Sequence, residues 1–221
     1  MYILEQFNGF TNETLDFLRS IGVHNNRQWF EEHKNDFIQY VSLPMKQLSS
    51  QVYNILAERF PDMRMGTHLP RIYKDFRRVR DGRYYHDEYW FLITDQNYKE
   101  NRLCFFFKIT GYEYHYGTCL FMPSPAVMAA YRIGIENNRK AFERMVRDFQ
   151  KQDIFQLEGS DYKIQKGDLS PLLNTWYNKR DISLIHTSTY DDGVIFQPDL
   201  VQILTEGFTW LIPFYKLILK G

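Results

Sequence analysis

The spacing of hydrophobic residues changes from helical to alternating in the middle of this chain, and that change constrains the fold class. In the first 60 residues apolar side chains such as Phe30, Phe37 and Val52 recur at helical spacing. From Tyr84 to Phe121 the period becomes two and 13 residues are aromatic, which is typical of strands in a half-buried sheet. The sequence therefore predicts helices followed by a block of strands.

Three strands are expected near residues 88–95, 102–110 and 113–122. Gly111-Tyr112 predicts a two-residue hairpin turn between the last two, so that Thr110 faces Glu113. The register then places a core face on one side, with Phe107 opposite Tyr116, Phe105 opposite Thr118 and Leu103 opposite Leu120. The other face pairs Lys108 with His115, Phe106 with Gly117, and Cys104 with Cys119. A face of that mixed character is either a wet surface or the wall of a cleft.

Capping residues and prolines indicate where the helices begin. Helix starts are expected at Thr11, at Asn25 or Asn26, and at Ser124-Pro125, with a final helix from Leu200 to Leu219 that contains Pro213. Residues 151–199 are expected to be irregular, apart from a short strand at 182–186 and a turn at 191–193. The whole predicts an α+β fold over residues 1–221: one domain with N-terminal helices, a central and mainly antiparallel sheet, and C-terminal helices.

Composition narrows the class of protein. The 221 residues include 44% hydrophobic side chains with no Pro-, Gly- or Ser-rich linker, and the formal net charge is zero. Only two cysteines occur, and no Cys-x-x-Cys or His-Glu-x-x-His spacing is present, so neither a metal nor a cofactor is expected. The start lacks the pattern of a signal peptide, and no stretch is apolar enough to span a membrane, so we expect a cytoplasmic protein.

A basic run carries the strongest functional signal. Six of the 27 Lys and Arg residues fall between Arg71 and Arg83, interleaved with tyrosines. Guanidinium groups present planar donor forks that fit phosphates and carboxylates, so the run predicts a cleft for a small anionic ligand. If the segment from Arg71 to Arg77 is extended, its alternate side chains share one face, with a carboxylate between two arginines. The predicted ligand-binding residues are Arg71, Tyr73, Asp75, Arg77, Arg80, Tyr85 and, from the strand face, Lys108.

Other interpretations of the same residues remain open. Asp75 and Asp81 would pair with neighbouring arginines in a purely structural network of salt bridges. In an enzyme, the arginines would stabilise developing charge while His86 or His115 moves a proton. In an interaction module for nucleic acid, the basic residues would track phosphates and the tyrosines would stack on bases. A module that binds a protein partner is a further alternative.

The run also resembles a known family. The order Arg71-Ile-Tyr-Lys-Asp-Phe-Arg77, a later basic-Asp pair and a Tyr are similar to the signature of domain of unknown function 2461, an uncharacterised bacterial and fungal family. The resemblance extends to residues 26–34 and 117–135. The chain departs from the family between Arg78 and Tyr85, where it lacks a Ser, one Lys and a Pro. The resemblance implies a fold and no particular activity.

Overall fold

The computed structural model describes residues 6–75, 77, 79–97 and 103–219. Helices pack against a six-stranded sheet, which makes this an α+β protein as the sequence predicts. The helices are α1 Asn12–Val23, α2 Arg27–Glu32, α3 Lys34–Asp36, a π-helical turn Phe37–Ser42, α4 Leu43–Arg59, α5 Pro125–Asn137, α6 Arg139–Phe149, α7 Pro171–Tyr177 and α8 Leu200–Leu219. The strands are β1 Met65–His68, β2 Tyr89–Asp95, β3 Leu103–Ile109, β4 Glu113–Leu120, β5 Gln156–Glu158 and β6 Ser183–Thr189.

The sheet has the order β1-β2-β3-β4-β6-β5, and its neighbouring strands run antiparallel. The predicted register between β3 and β4 is confirmed along the whole ladder, including Phe107 opposite Tyr116 and Cys104 opposite Cys119. The Thr110 N–H donates to the Glu113 carbonyl at 2.9 Å and closes the hairpin around Gly111-Tyr112. Local turn chemistry was therefore sufficient to fix this pairing.

One face of the sheet packs on helices α4 and α8 and forms the core. Phe105 on β3 lies 4.7 Å from Tyr215 and 5.2 Å from Phe208, both on α8, measured between ring centroids. Each of these three rings is almost completely buried, and burying an aromatic side chain contributes several kcal/mol of hydrophobic free energy in order of magnitude. These contacts hold α8 against the middle of the sheet.

The predicted helix starts are confirmed. Asn26 caps α2 by accepting the Trp29 N–H at 3.0 Å, and Ser124 caps α5 with Pro125 in its first turn. Within the described ranges, none of the helices combines the length and the hydrophobicity that a bilayer-spanning segment needs.

The region 151–199 is more regular than predicted. It contains β5 and α7, and its strand β6 extends three residues beyond the expected segment to Thr189. The seven residues of α7 and three of β5 are too few to show a hydrophobic period, so their formation depends on packing. The short edge strand β1 was missed for the same reason. Arg102, at the start of the second predicted strand, lies outside the described residues.

Candidate functional site

The basic run is held in place by two short antiparallel segments. Tyr73 and Tyr85 form a β-bridge, flanked by hydrogen bonds from the Lys74 N–H to the Tyr84 carbonyl (2.8 Å) and from the His86 N–H to the Ile72 carbonyl (2.9 Å). The two ends of the intervening loop, residues 75–83, therefore lie next to each other. Two members of the run, Phe76 and Arg78, lie outside the described residues.

Asn25 attaches this ribbon to the helical layer. Its side-chain amide donates to the Tyr85 carbonyl at 3.0 Å, and its side-chain oxygen accepts the Tyr85 N–H at 2.8 Å. Both residues are buried. The side-chain amide of Asn25 thus makes the hydrogen bonds that a neighbouring strand would otherwise make to Tyr85. Both buried backbone groups of Tyr85, its N–H and its carbonyl, are therefore satisfied.

An open cleft of about 530 Å³ lies between the loop and the ribbon. Its walls are formed by six side chains, which are Lys74, Asp75, Val79, Arg80, Asp81 and His86. Positive, negative and titratable groups therefore share one concave site, in contrast to the apolar grooves beside α8.

Neither of the two basic side chains in the cleft wall forms an ion pair with a carboxylate of the described residues. Lys74 and Arg80 make no ion pair with any other residue that the structure describes, whereas Arg77 and Arg83 of the same run are paired. Arg83 binds Asp87 through Nη2 at 2.7 Å. The positive charge facing the cleft is thus carried by Lys74 and Arg80.

The local field also changes the titration of neighbouring groups. The backbone N–H of Arg83 binds Asp81 at 3.1 Å and, with attraction from Lys74, holds the pKa of that carboxyl below its usual value. Partial burial and then the nearby Lys74 lower the pKa of His86 from 6.5, so its imidazole is predominantly neutral at pH 7. A neutral imidazole offers both a donor and an acceptor to a ligand.

The structure separates the predicted residues into two groups. Asp75 and Arg80 line the cleft, but Arg77 does not: its side chain is 84% exposed and binds both carboxylate oxygens of Asp75 at 3.0 Å. Asp75 thus contacts one of the two arginines that it was predicted to orient. Arg71 is exposed, and Tyr73, which is 46% exposed, packs edge-on against Phe30 outside the cleft wall.

Tyr85 belongs to the core rather than to the cleft. It is 2% exposed and stacks on Phe30 with the ring centroids 4.4 Å apart, so the predicted contact with a ligand is not available to its ring. The expected alternation depended on an extended backbone from Arg71 to Arg77, whereas the structure has a β-bridge at Tyr73 and a turn at Arg77.

Lys108 and His115 lie on the face of the sheet opposite the core, away from the cleft lining. Lys108 pairs with Glu88 at 3.2 Å. His115 lies opposite Lys108, contacts Glu113 at 3.2 Å, and has its Nδ1 2.9 Å from the hydroxyl of Thr187. Burial and Lys108 lower the pKa of His115. These contacts form a separate polar row rather than a second wall of the cleft.

Lys74 and Asp81 line the cleft but were not selected from the sequence. Adjacent residues of the ribbon project to opposite sides, so Lys74 and Tyr73 do not share a face. The sequence analysis took the face of Tyr73 as the binding face and therefore did not select Lys74. The sequence signal that could have found Lys74 is the excess of basic over acidic residues in the run. That excess indicates a cation without a local partner, whichever face of the ribbon the cation lies on. Among the described residues, no group of three or more His, Cys, Asp or Glu side chains is arranged to hold a metal ion.

The fold and this cleft define a class: an α+β protein with a cleft of mixed charge attached to the side of an antiparallel sheet. The chain belongs to the family described as Conserved hypothetical protein (DUF2461), whose model matches residues 13–217. The resemblance seen in the basic run is thereby confirmed over nearly the whole chain. None of the curated proteins matches it.

Proposed function

We propose that this protein binds a small phosphate- or carboxylate-bearing ligand in the cleft lined by Lys74, Arg80 and His86. The observation that carries the proposal is the presence of two cations without carboxylate partners among the described residues, on the wall of one cavity. Unpaired cations in a concave site attract anions more strongly than the paired groups on the surrounding surface do.

The chemistry of the wall favours an anion with several oxygen atoms. Arg80 supplies a planar fork, Lys74 supplies a compact charge, and neutral His86 supplies one further donor. The carboxylates of Asp75 and Asp81 balance the two cations in formal charge, so the ligand must form directed hydrogen bonds to Lys74 and Arg80. The proposed location is the cytoplasm.

A direct test is calorimetric titration with inorganic phosphate, pyrophosphate and succinate at constant ionic strength. Replacing Arg80 with Ala removes hydrogen bonds to a charged ligand worth about 1.5–3 kcal/mol, so we expect about 10- to 150-fold weaker binding. Asp81→Asn removes a negative charge from the same wall and should strengthen binding. Arg71→Ala is the matched control, because Arg71 belongs to the same run but lies outside the cleft.

Binding that decreases equally in Arg80→Ala and Arg71→Ala would show general charge attraction and contradict the proposal, as would a failure of all three anions to bind. Thermal shift provides a second measurement, since a ligand at a hundred times its dissociation constant adds about 2.7 kcal/mol of stability. Short oligonucleotides serve as a further arm. Oligonucleotide binding that decreases steeply with salt would favour the nucleic-acid hypothesis instead.

A second candidate function is catalysis at the same cleft. Of the two candidate histidines, His86 is favoured over His115 as the proton carrier because of its position. His86 lines the cavity that holds Lys74 and Arg80, so an imidazole with a lowered pKa lies where a bound anion would react. Under this hypothesis His86→Gln abolishes turnover of a phosphate ester while phosphate still binds. Equal turnover in the variant and the wild type would exclude His86 as the proton carrier.

A further inference from the structure

The two cysteines of the chain face each other across the β3–β4 ladder. Cys104 lies opposite Cys119, and their sulfur atoms are 3.6 Å apart, both as free thiols. Counting in steps of two from the hydrogen-bonded Thr110–Glu113 pair makes Cys104–Cys119 another hydrogen-bonded pair. Such pairs have Cα atoms about 5.5 Å apart, which is within the range that a disulfide spans.

We propose that Cys104 and Cys119 form a redox modification site, which a low-molecular-weight disulfide such as oxidised glutathione converts into an intramolecular disulfide. The two sulfur atoms must approach from 3.6 Å to a bond length of about 2.05 Å. The two residues are already in register, but opposed Cβ atoms in a hydrogen-bonded pair lie at the long end of about 4.5–5.5 Å, against about 3.5–4.5 Å in a disulfide. Strands β3 and β4 must therefore approach each other locally by about 1 Å as the bond forms, and neither strand has to unfold.

The environments of the two thiols set the order of the steps. Cys119 is partly exposed, whereas Cys104 is 1% exposed. The hydrogen bond to Cys119 and burial raise the pKa of Cys104 well above its usual value. The thiolate is the attacking species, so Cys119 reacts first and Cys104 resolves the intermediate.

The exchange is balanced in electrons and protons. The Cys119 thiolate attacks one sulfur of the small disulfide, forms a mixed disulfide and releases one small thiolate. The Cys104 sulfur then loses its proton to solvent and attacks the Sγ of Cys119, which forms the protein disulfide and releases the second thiolate. Two protein thiols are oxidised, one small disulfide is reduced to two thiols, and the protons from the cysteines are taken up by these products.

The test is incubation of the dilute full-length protein with oxidised glutathione, followed by alkylation under denaturing conditions and intact-mass spectrometry. We expect a monomer lighter by two hydrogen atoms, carrying no alkyl group, with one crosslinked peptide pair containing residues 104 and 119. Dithiothreitol should restore both alkylation sites. Wild type that stays a dithiol, forms intermolecular dimers, or stops with glutathione on Cys119 would overturn the proposal.

Single variants test the order of reaction. Cys104→Ser should accumulate the mixed disulfide with glutathione at Cys119, because the resolving thiol is missing. Cys119→Ser should keep Cys104 unmodified over the time in which wild type is oxidised. Modification of Cys104 at the wild-type rate in that variant would contradict the assigned order. Circular dichroism checks the fold of each variant, and the wild-type result decides the proposal by itself if a variant does not fold.

Discussion

Asn25 is expected to be the polar side chain on which the position of the candidate site depends most directly. Replacing it with Ala leaves the N–H and the carbonyl of Tyr85 buried without their present partners. An unsatisfied buried polar group costs about 1–3 kcal/mol, so two such groups predict a loss of about 2–6 kcal/mol in the free energy of unfolding. That is a large part of the stability of a typical domain.

Urea unfolding followed by fluorescence and circular dichroism measures this loss, and Asn26→Ala provides a matched control one residue away. Asn26 makes one exposed capping bond to the Trp29 N–H, and its removal should cost about 1 kcal/mol. A loss in Asn25→Ala no larger than in Asn26→Ala would refute the reasoning. The variant should also bind phosphate more weakly, because His86 follows the segment that Asn25 holds.

Two further predictions concern titration and packing. By NMR titration, His86 should have a pKa below 6.5, because burial and Lys74 disfavour its charged form. Its contribution to stability is therefore present above pH 6.5 and decreases as the pH falls below that value. Bound phosphate should raise this pKa, and an unchanged value would place the anion elsewhere. Gly117→Ala should destabilise the protein by at least about 1–3 kcal/mol in urea unfolding, because the new Cβ would lie 1.9 Å from the Leu184 carbonyl oxygen on β6. Gly22 lies within α1, and a Cβ added there would lie at an ordinary van der Waals distance of 3.6 Å from the Cβ of Asp87. Gly22→Ala should therefore be neutral or stabilising by up to about 1 kcal/mol. Equal losses of stability in the two variants would contradict the steric argument.

Features that depend on near neighbours could be predicted from the amino-acid order. The Gly111-Tyr112 turn fixed the β3–β4 register, and Ser124-Pro125 marked the start of α5. Such signals act within a few residues, through backbone torsions and local hydrogen bonds, so they persist in any tertiary context that accepts them. The region of the candidate site was also predicted, because its charge density is visible in the composition of the run.

Only the tertiary structure decided which members of that run face the cleft. Arg77 was selected from an assumed extended backbone, but it binds Asp75 on the surface, while Lys74 and Arg80 line the cavity. Tyr85 was selected as a ligand contact, but Phe30 and Asn25 hold it in the core. The choice among several carboxylate partners depends on small differences in distance and desolvation between residues far apart in the chain, and a linear pattern contains none of those distances.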